Sequence, residues 1–85
     1  MKDLNFKLLV DEELAKVRGK HRPQQSVHEG YAILLEEVDE FWDEVKKKHS
    51  NRDPEAMLAE LVQIASSAQR TAEDIVIPTI KNKQK

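Results

Sequence analysis

Six of the sixteen acidic residues of this 85-residue chain fall within nine positions: Glu36, Glu37, Asp39, Glu40, Asp43 and Glu44. On a helix, at about 100° per residue, they do not point one way. Glu37, Glu40 and Glu44 form one stripe at the edge of an apolar face. Asp39 lies on the opposite flank, and Glu36 and Asp43 turn away from it. A second segment places Glu60, Gln63, Ser67 and Asp74 on the equivalent flank of its own apolar face. Each segment thus carries an i, i+3 polar pair, Glu37/Glu40 and Glu60/Gln63, and an antiparallel packing would set the two pairs opposite each other. Two carboxylates ~4 Å apart repel by roughly 4 kcal/mol at an effective dielectric of 20. Three that converge must spread, take up a proton or share a cation. Oxygen donors without His or Cys suit a hard ion, Mg²⁺ or Mn²⁺, and Mg²⁺ keeps positions open for waters and substrate phosphates. The plain alternative is a solvated helix face with lysine partners such as Glu44 with Lys48.

The elements that must position these acids are legible from punctuation and periodicity. Gly19 and Pro23 mark a loop, Pro54 follows Asn51-Arg52-Asp53, and Pro78 opens the tail. A first helix, over about residues 4–18, places Phe6, Leu9, Val10, Leu14 and Val17 on one face. The second begins at Ser26-Val27-His28-Glu29, a capping-box pattern. It continues to about residue 48 on Tyr31, Leu34, Leu35, Val38, Phe41, Trp42 and Val45. Asp53 caps the third, with Pro54 in its first turn. That helix runs to about residue 76 on Met57, Leu58, Leu61, Ile64, Ala65, Ala68, Ala72 and Ile75. No segment alternates with strand period. The chain reads as all-α: a short bundle of about three helices in a single domain over residues 1–80, with a basic, disordered tail at 81–85.

Composition narrows the function classes. Charged residues make up 35% and apolar residues 39% of the chain, and the net charge is −2. Three of the fourteen basic residues lie in the last five positions, so residues 1–80 set eleven basic groups against sixteen acids. Such a body is not built to hold a nucleic-acid polymer. There is no cysteine, which removes disulfides, thiolate metal sites and a thiol nucleophile. No apolar run approaches the roughly 18 residues of a membrane span, and the N-terminus has no signal-peptide core. A cytoplasmic protein without a membrane partner is expected. Below roughly 70–80 residues a single core rarely supplies more than ~3–5 kcal/mol. A chain this short is therefore expected to complete its bundle by homo-oligomerisation.

The stretch His28-Glu29-Gly30-Tyr31 through Glu36-Glu37-Val38-Asp39-Glu40-Phe41-Trp42, followed by Glu60-Leu61-Val62-Gln63-Ile64-Ala65, resembles the MazG-like all-α nucleoside triphosphate pyrophosphohydrolases. The resemblance spans about residues 20–75 and rests on E-x-x-E on one helix and E-x-x-D on the next. It implies a Mg²⁺-dependent cleavage of a nucleoside triphosphate to monophosphate and pyrophosphate, with use in clearing non-standard nucleotides. Glu37, Glu40 and Glu60 match the motif acids and would serve as catalytic metal ligands. Gln63 stands where the family carries Asp: its oxygen can ligate a metal, but it brings no charge and cannot act as a base. Lys20, Arg22 and Arg70 are the cations placed to meet phosphates. Dimer and tetramer are both compatible with the resemblance. The alternative is a non-catalytic helical oligomer, a nucleotide-binding or interaction module derived from that family.

Other residues have simpler uses. Phe41 and Trp42 could stack on a base, but their place on the apolar stripe favours core or subunit interface. His28, in the first turn of its helix, reads as a surface residue, and Glu13 as an exposed edge. A di-iron bundle would want Glu-x-x-His pairs, and none occurs. A His-Glu-x-x-His zinc site fails because Ala32 stands where the second His is needed.

Overall fold

The structure, a computed structural model, describes residues 4–83. All regular structure among these residues is helical: α1 is Phe6–Lys20, α2 Val27–Val45, α3 Pro54–Thr71 and α4 Ile77–Lys83. A single 3₁₀ turn, His49–Asn51, lies between α2 and α3. No helix among the described residues is long and apolar enough to cross a membrane.

Each main helix starts on a side-chain cap. The Asn5 carboxamide accepts from the Leu8 amide at 3.1 Å, and Asp53 accepts from the amides of Glu55 and Ala56. Ser26 accepts from the Glu29 amide at 3.0 Å. Glu29 reaches back one residue further than a capping box requires, accepting from the Gln25 amide at 2.7 Å. These bonds satisfy amides that the first helical turn leaves open.

The third helix does not stop where expected. A π-helical turn, Ala72–Val76, follows α3 and leads directly into α4. The amide of Ile77 donates to the carbonyl of Ala72, five residues back. This widened turn admits Pro78, which has no N–H and crowds the preceding turn of a regular helix. Pro78 therefore does not end the helical run near residue 76: Ile77–Lys83 is helical, Lys81 and Lys83 included, while residues 84–85 of the expected tail lie outside the described residues. Helix α2, in turn, ends at Val45, short of the expected residue 48. Glu44 consequently pairs with Lys47 at 3.0 Å rather than with Lys48, which is no longer in helical register.

Helix α3 is the centre of the bundle, packing against both α1 and α2. Gly30, near the start of α2, meets Thr71 at the end of α3, so these two helices run antiparallel. The segment from His21 to Gln25 is strapped across that junction. Thr71 Oγ1 donates to Gln24 Oε1 at 2.7 Å, and the Gln24 amide donates to Asp74 Oδ2 at 2.8 Å. Arg18 holds Glu73 and Asp74 at 2.9 Å each. Burial would raise the Asp74 carboxyl, but the Gln24 amide and the Arg18 guanidinium outweigh it and hold it below the usual range.

Gly30 is needed at this crossing. A Cβ there would collide with Thr71 Oγ1 and lie 2.7 Å from Gln24 Oε1, both held in the strap. A Gly to Ala change in a helix ordinarily gains about 1 kcal/mol. Here overpacking of about 1–3 kcal/mol opposes that gain and breaks the Thr71–Gln24 bond. Gly30→Ala is thus expected to lower the midpoint of urea unfolding; a higher midpoint would show that the strap is loose.

Few apolar side chains are enclosed. Val10, Leu14 and Val62 are the buried ones among the described residues, and the most enclosed positions of α3 otherwise are Ser66, Ser67 and Arg70. The apolar stripes of α2 and α3 are rotated partly outward. Tyr31, Leu35, Val38 and Trp42 are exposed on α2, as are Leu61, Val76, Ile77 and Ile80 along α3 and its extension. Phe6, expected in the core, is also exposed. The radius of gyration is 15.0 Å, against about 12 Å for a compact chain of this length.

Candidate functional site

The antiparallel pairing of α2 and α3 brings together the acids that the two motifs supply. Glu37, Glu40 and Glu60 each offer a carboxylate oxygen within 4.8 Å of the others. Glu37 and Glu60 are half-buried, and Glu40 is exposed. One oxygen of Glu60, Oε2, is buried and has no hydrogen-bond partner. Of the remaining acids, Glu44 is taken by Lys47 and Asp43 by Lys46 at 3.1 Å. The solvated-face description therefore suits Asp43 and Glu44; of the three that converge, Glu40 is solvated and Glu37 and Glu60 are half-buried.

Their crowding appears in their acidity. Burial, followed by the charges of Glu40 and Glu60, pushes the Glu37 carboxyl up from 4.5 to about 7. Glu60 is raised as well, first by burial and then by its hydrogen bond to Glu40. Because the folded chain favours protonated Glu37, this group's contribution to stability is fully present below about pH 4.5 and lost as pH rises through about 7. Glu37→Gln, which has no charge to desolvate, should melt above wild type near pH 8 in EDTA and level with it near pH 4. Identical melting at both pH values would mean that the carboxylates do not crowd in solution.

An open cleft of about 420 Å³ adjoins the cluster, with Glu37 and Gln63 in its wall. Arg22 and Arg70 line the same cleft. Arg22 donates to the Pro23 carbonyl at 3.3 Å and approaches Glu29 at 3.7 Å. Lys20 is not brought in: it ends α1 as an exposed residue away from the cleft. His28 is exposed outside it, and Glu13 is half-buried in the groove between α1 and α3, not at an open edge. Trp42 is 57% exposed, so it is no core residue of the isolated chain, whereas Phe41 is half-buried.

Sequence reasoning passed over His21, Ser66 and, as a wall of the cleft, Ser67. The signal was present in the spacing of Gln63, Ser66, Ser67 and Arg70, which share one helix face. It is a polar face, and only packing shows that α3 turns it inward.

Comparison with protein-family models, with curated proteins and with solved structures gives no match. What the site can do must be argued from its own chemistry. Three carboxylates from two helices, that of Glu60 also carrying a buried oxygen without a partner, fit a hard divalent cation. Cationic side chains in the adjoining cleft fit an anion.

Proposed function

We propose that this chain is a Mg²⁺-dependent nucleoside triphosphate pyrophosphohydrolase, working as a homo-oligomer on free nucleotides in the cytoplasm. The convergence of Glu37, Glu40 and Glu60 on one point is the observation that carries this reading. The motif resemblance and the anion-compatible cleft beside the cluster support it. Clearing non-standard nucleotides is the biological use that would follow.

Glu37, Glu40 and Glu60 would hold the cation, with the Gln63 oxygen as a neutral donor. Mg²⁺, or Mn²⁺ in its place, supplies charge neutralisation at phosphate oxygens and lowers the pKa of a bound water. The residues do the rest. Arg22 and Arg70 draw the phosphates into the cleft, and Lys20 contributes only if its long side chain swings toward it. One carboxylate of the cluster orients the attacking water and accepts its proton. The water oxygen bonds to the α-phosphorus, and the bond to the bridging oxygen breaks with its electron pair leaving on pyrophosphate. The test is a panel of ordinary and modified nucleoside triphosphates assayed for pyrophosphate with and without Mg²⁺ or Mn²⁺. Metal-dependent release is expected, and its absence across the panel would refute the proposal.

Gln63 favours a second reading, a nucleotide-binding helical oligomer without turnover. Gln63→Asp should tighten Mg²⁺ binding several-fold by calorimetry, because it adds a charge beside Glu37. Unchanged affinity would place this position outside the cation site.

The exposed apolar stripe supports self-association. Tyr31, Leu35, Val38 and Trp42 are exposed on α2, and Leu61 and Val76 on α3 and its extension, more apolar surface than is usually left to water. Dimer and tetramer would both cover it.

A further inference from the structure

Arg70 is 8% exposed in the wall of the cleft, and its Nε has no hydrogen-bond partner. Among the described residues, no carboxylate comes within ion-pair distance of its guanidinium. Burying an unpaired charge is costly, and a fold retains one only against an opposing use. Two carboxylates lie within ordinary helical reach, Glu73 three residues on and Asp74 four, and all four oxygens are taken: those of Glu73 by Arg18 and Gln69 at 2.9 Å each, and those of Asp74 within the strap. Oδ1 accepts from Arg18 at 2.9 Å and Oδ2 from the Gln24 amide at 2.8 Å. The strap that closes the α2–α3 junction thus occupies the oxygens of Asp74: the charge of that carboxylate still acts on Arg70 through space, but no carboxylate hydrogen-bonds the guanidinium, which lines the cleft.

The surroundings supply further donors. The Ser67 hydroxyl lines the cleft and makes no hydrogen bond among the described residues, its carbonyl alone being used by Thr71. His21 and Arg22, at the start of the strap, line the same space. A guanidinium presents five donors in a planar fork, which matches phosphate oxygens two at a time. At the other wall, on α2, stand Glu29, 3.7 Å from Arg22, and Glu37, on the cation side. The cleft is therefore bipolar.

We propose that Arg70, with Ser67, Arg22 and His21, forms an oxyanion subsite that holds the pyrophosphate end of the nucleotide without needing a metal ion. The identity of the anion rests on the nucleotide reading above; the existence of the subsite does not. The leaving group would then be gripped by the protein itself, and the cation side of the cleft would be left to the reacting α-phosphate.

The experiment is calorimetric titration of the full chain with inorganic pyrophosphate in EDTA, with sulfate and acetate as parallel arms. Wild type should bind pyrophosphate saturably, one per chain, and more tightly than sulfate or acetate. Arg70→Met and Arg70→Lys should each weaken binding at least about tenfold, the loss of a charge-assisted bidentate pair. Arg70→Met should melt close to wild type, because an apolar side chain of similar length replaces a guanidinium that makes no hydrogen bond, its buried Nε included, which offsets the lost through-space attraction to Asp74. Glu60→Gln should bind pyrophosphate as well or better while losing metal-dependent turnover. No saturable binding by wild type, undiminished binding by Arg70→Met, equal affinity for all three anions, or an Arg70→Met that melts well below wild type would each overturn the subsite. Turnover without metal-free pyrophosphate binding would remove the subsite and leave the nucleotide reading intact. Pyrophosphate binding without turnover of any nucleotide would do the reverse.

Discussion

Glu60→Gln should lower metal-dependent pyrophosphate release by at least about a hundredfold, since loss of even an outer-shell partner of a metal ligand typically costs 10–100-fold. The same substitution should make the cation-free protein more stable, not less. Glu60 is half-buried, carries an oxygen without a partner and sits against Glu40, and its acidity is suppressed accordingly. Replacing it with a neutral isostere relieves that repulsion. The two effects together separate a functional cluster from a structural one. An acid that merely helped the helices pack would lose stability and activity together. Pyrophosphate release with Mg²⁺ and thermal melts in EDTA on one preparation provide both readouts. A variant that hydrolyses nucleotides like wild type would remove Glu60 from the site.

Val38→Asp should abolish self-association and, with it, most of the stability. Val38 is exposed at the middle of the α2 stripe, with Leu35 and Trp42 beside it on the same helix. A carboxylate there would have to be desolvated in any assembly that covers this face, at a cost of several kcal/mol. Among the described residues, twelve large apolar side chains remain exposed in the isolated chain, against three that are buried. A single chain with so small a core has little margin. Sedimentation should therefore show a concentration-dependent oligomer for wild type and a monomer for Val38→Asp, with a melting transition at much lower temperature. Unchanged sedimentation would mean that this stripe is not the interface. Glu36→Asp, on the solvent side of the same helix, serves as the neutral control.

The helical class of this chain was legible because its signals are local. Apolar residues recur at helical spacing, Ser26 and Asp53 cap as their positions dictate, and Pro54 falls in a first turn. The candidate cluster was legible in part for a related reason: an i, i+3 pair fixes its own face on each helix, and the antiparallel packing of α2 against α3, which spacing alone does not supply, brings Glu37, Glu40 and Glu60 together. Pro78 misled because the rule that proline ends a helix assumes a regular helix. The π turn at Ala72–Val76 changes the carbonyl spacing that the rule depends on.

Periodicity by itself determined which residues share a helix face, and hence three of the carboxylates that could hold a cation. It could not determine which of two faces turns inward. An apolar stripe and a polar flank are both available to α3, and the tertiary structure sets Ser66, Ser67 and Arg70 inside while leaving Leu61 and Ala68 exposed. Likewise the lack of a hydrogen-bonded carboxylate for Arg70 depends on Arg18 and Gln24, distant in the chain, occupying the oxygens of Asp74. Contacts between groups some fifty residues apart decide where charge is left over, and such contacts leave no mark in local spacing.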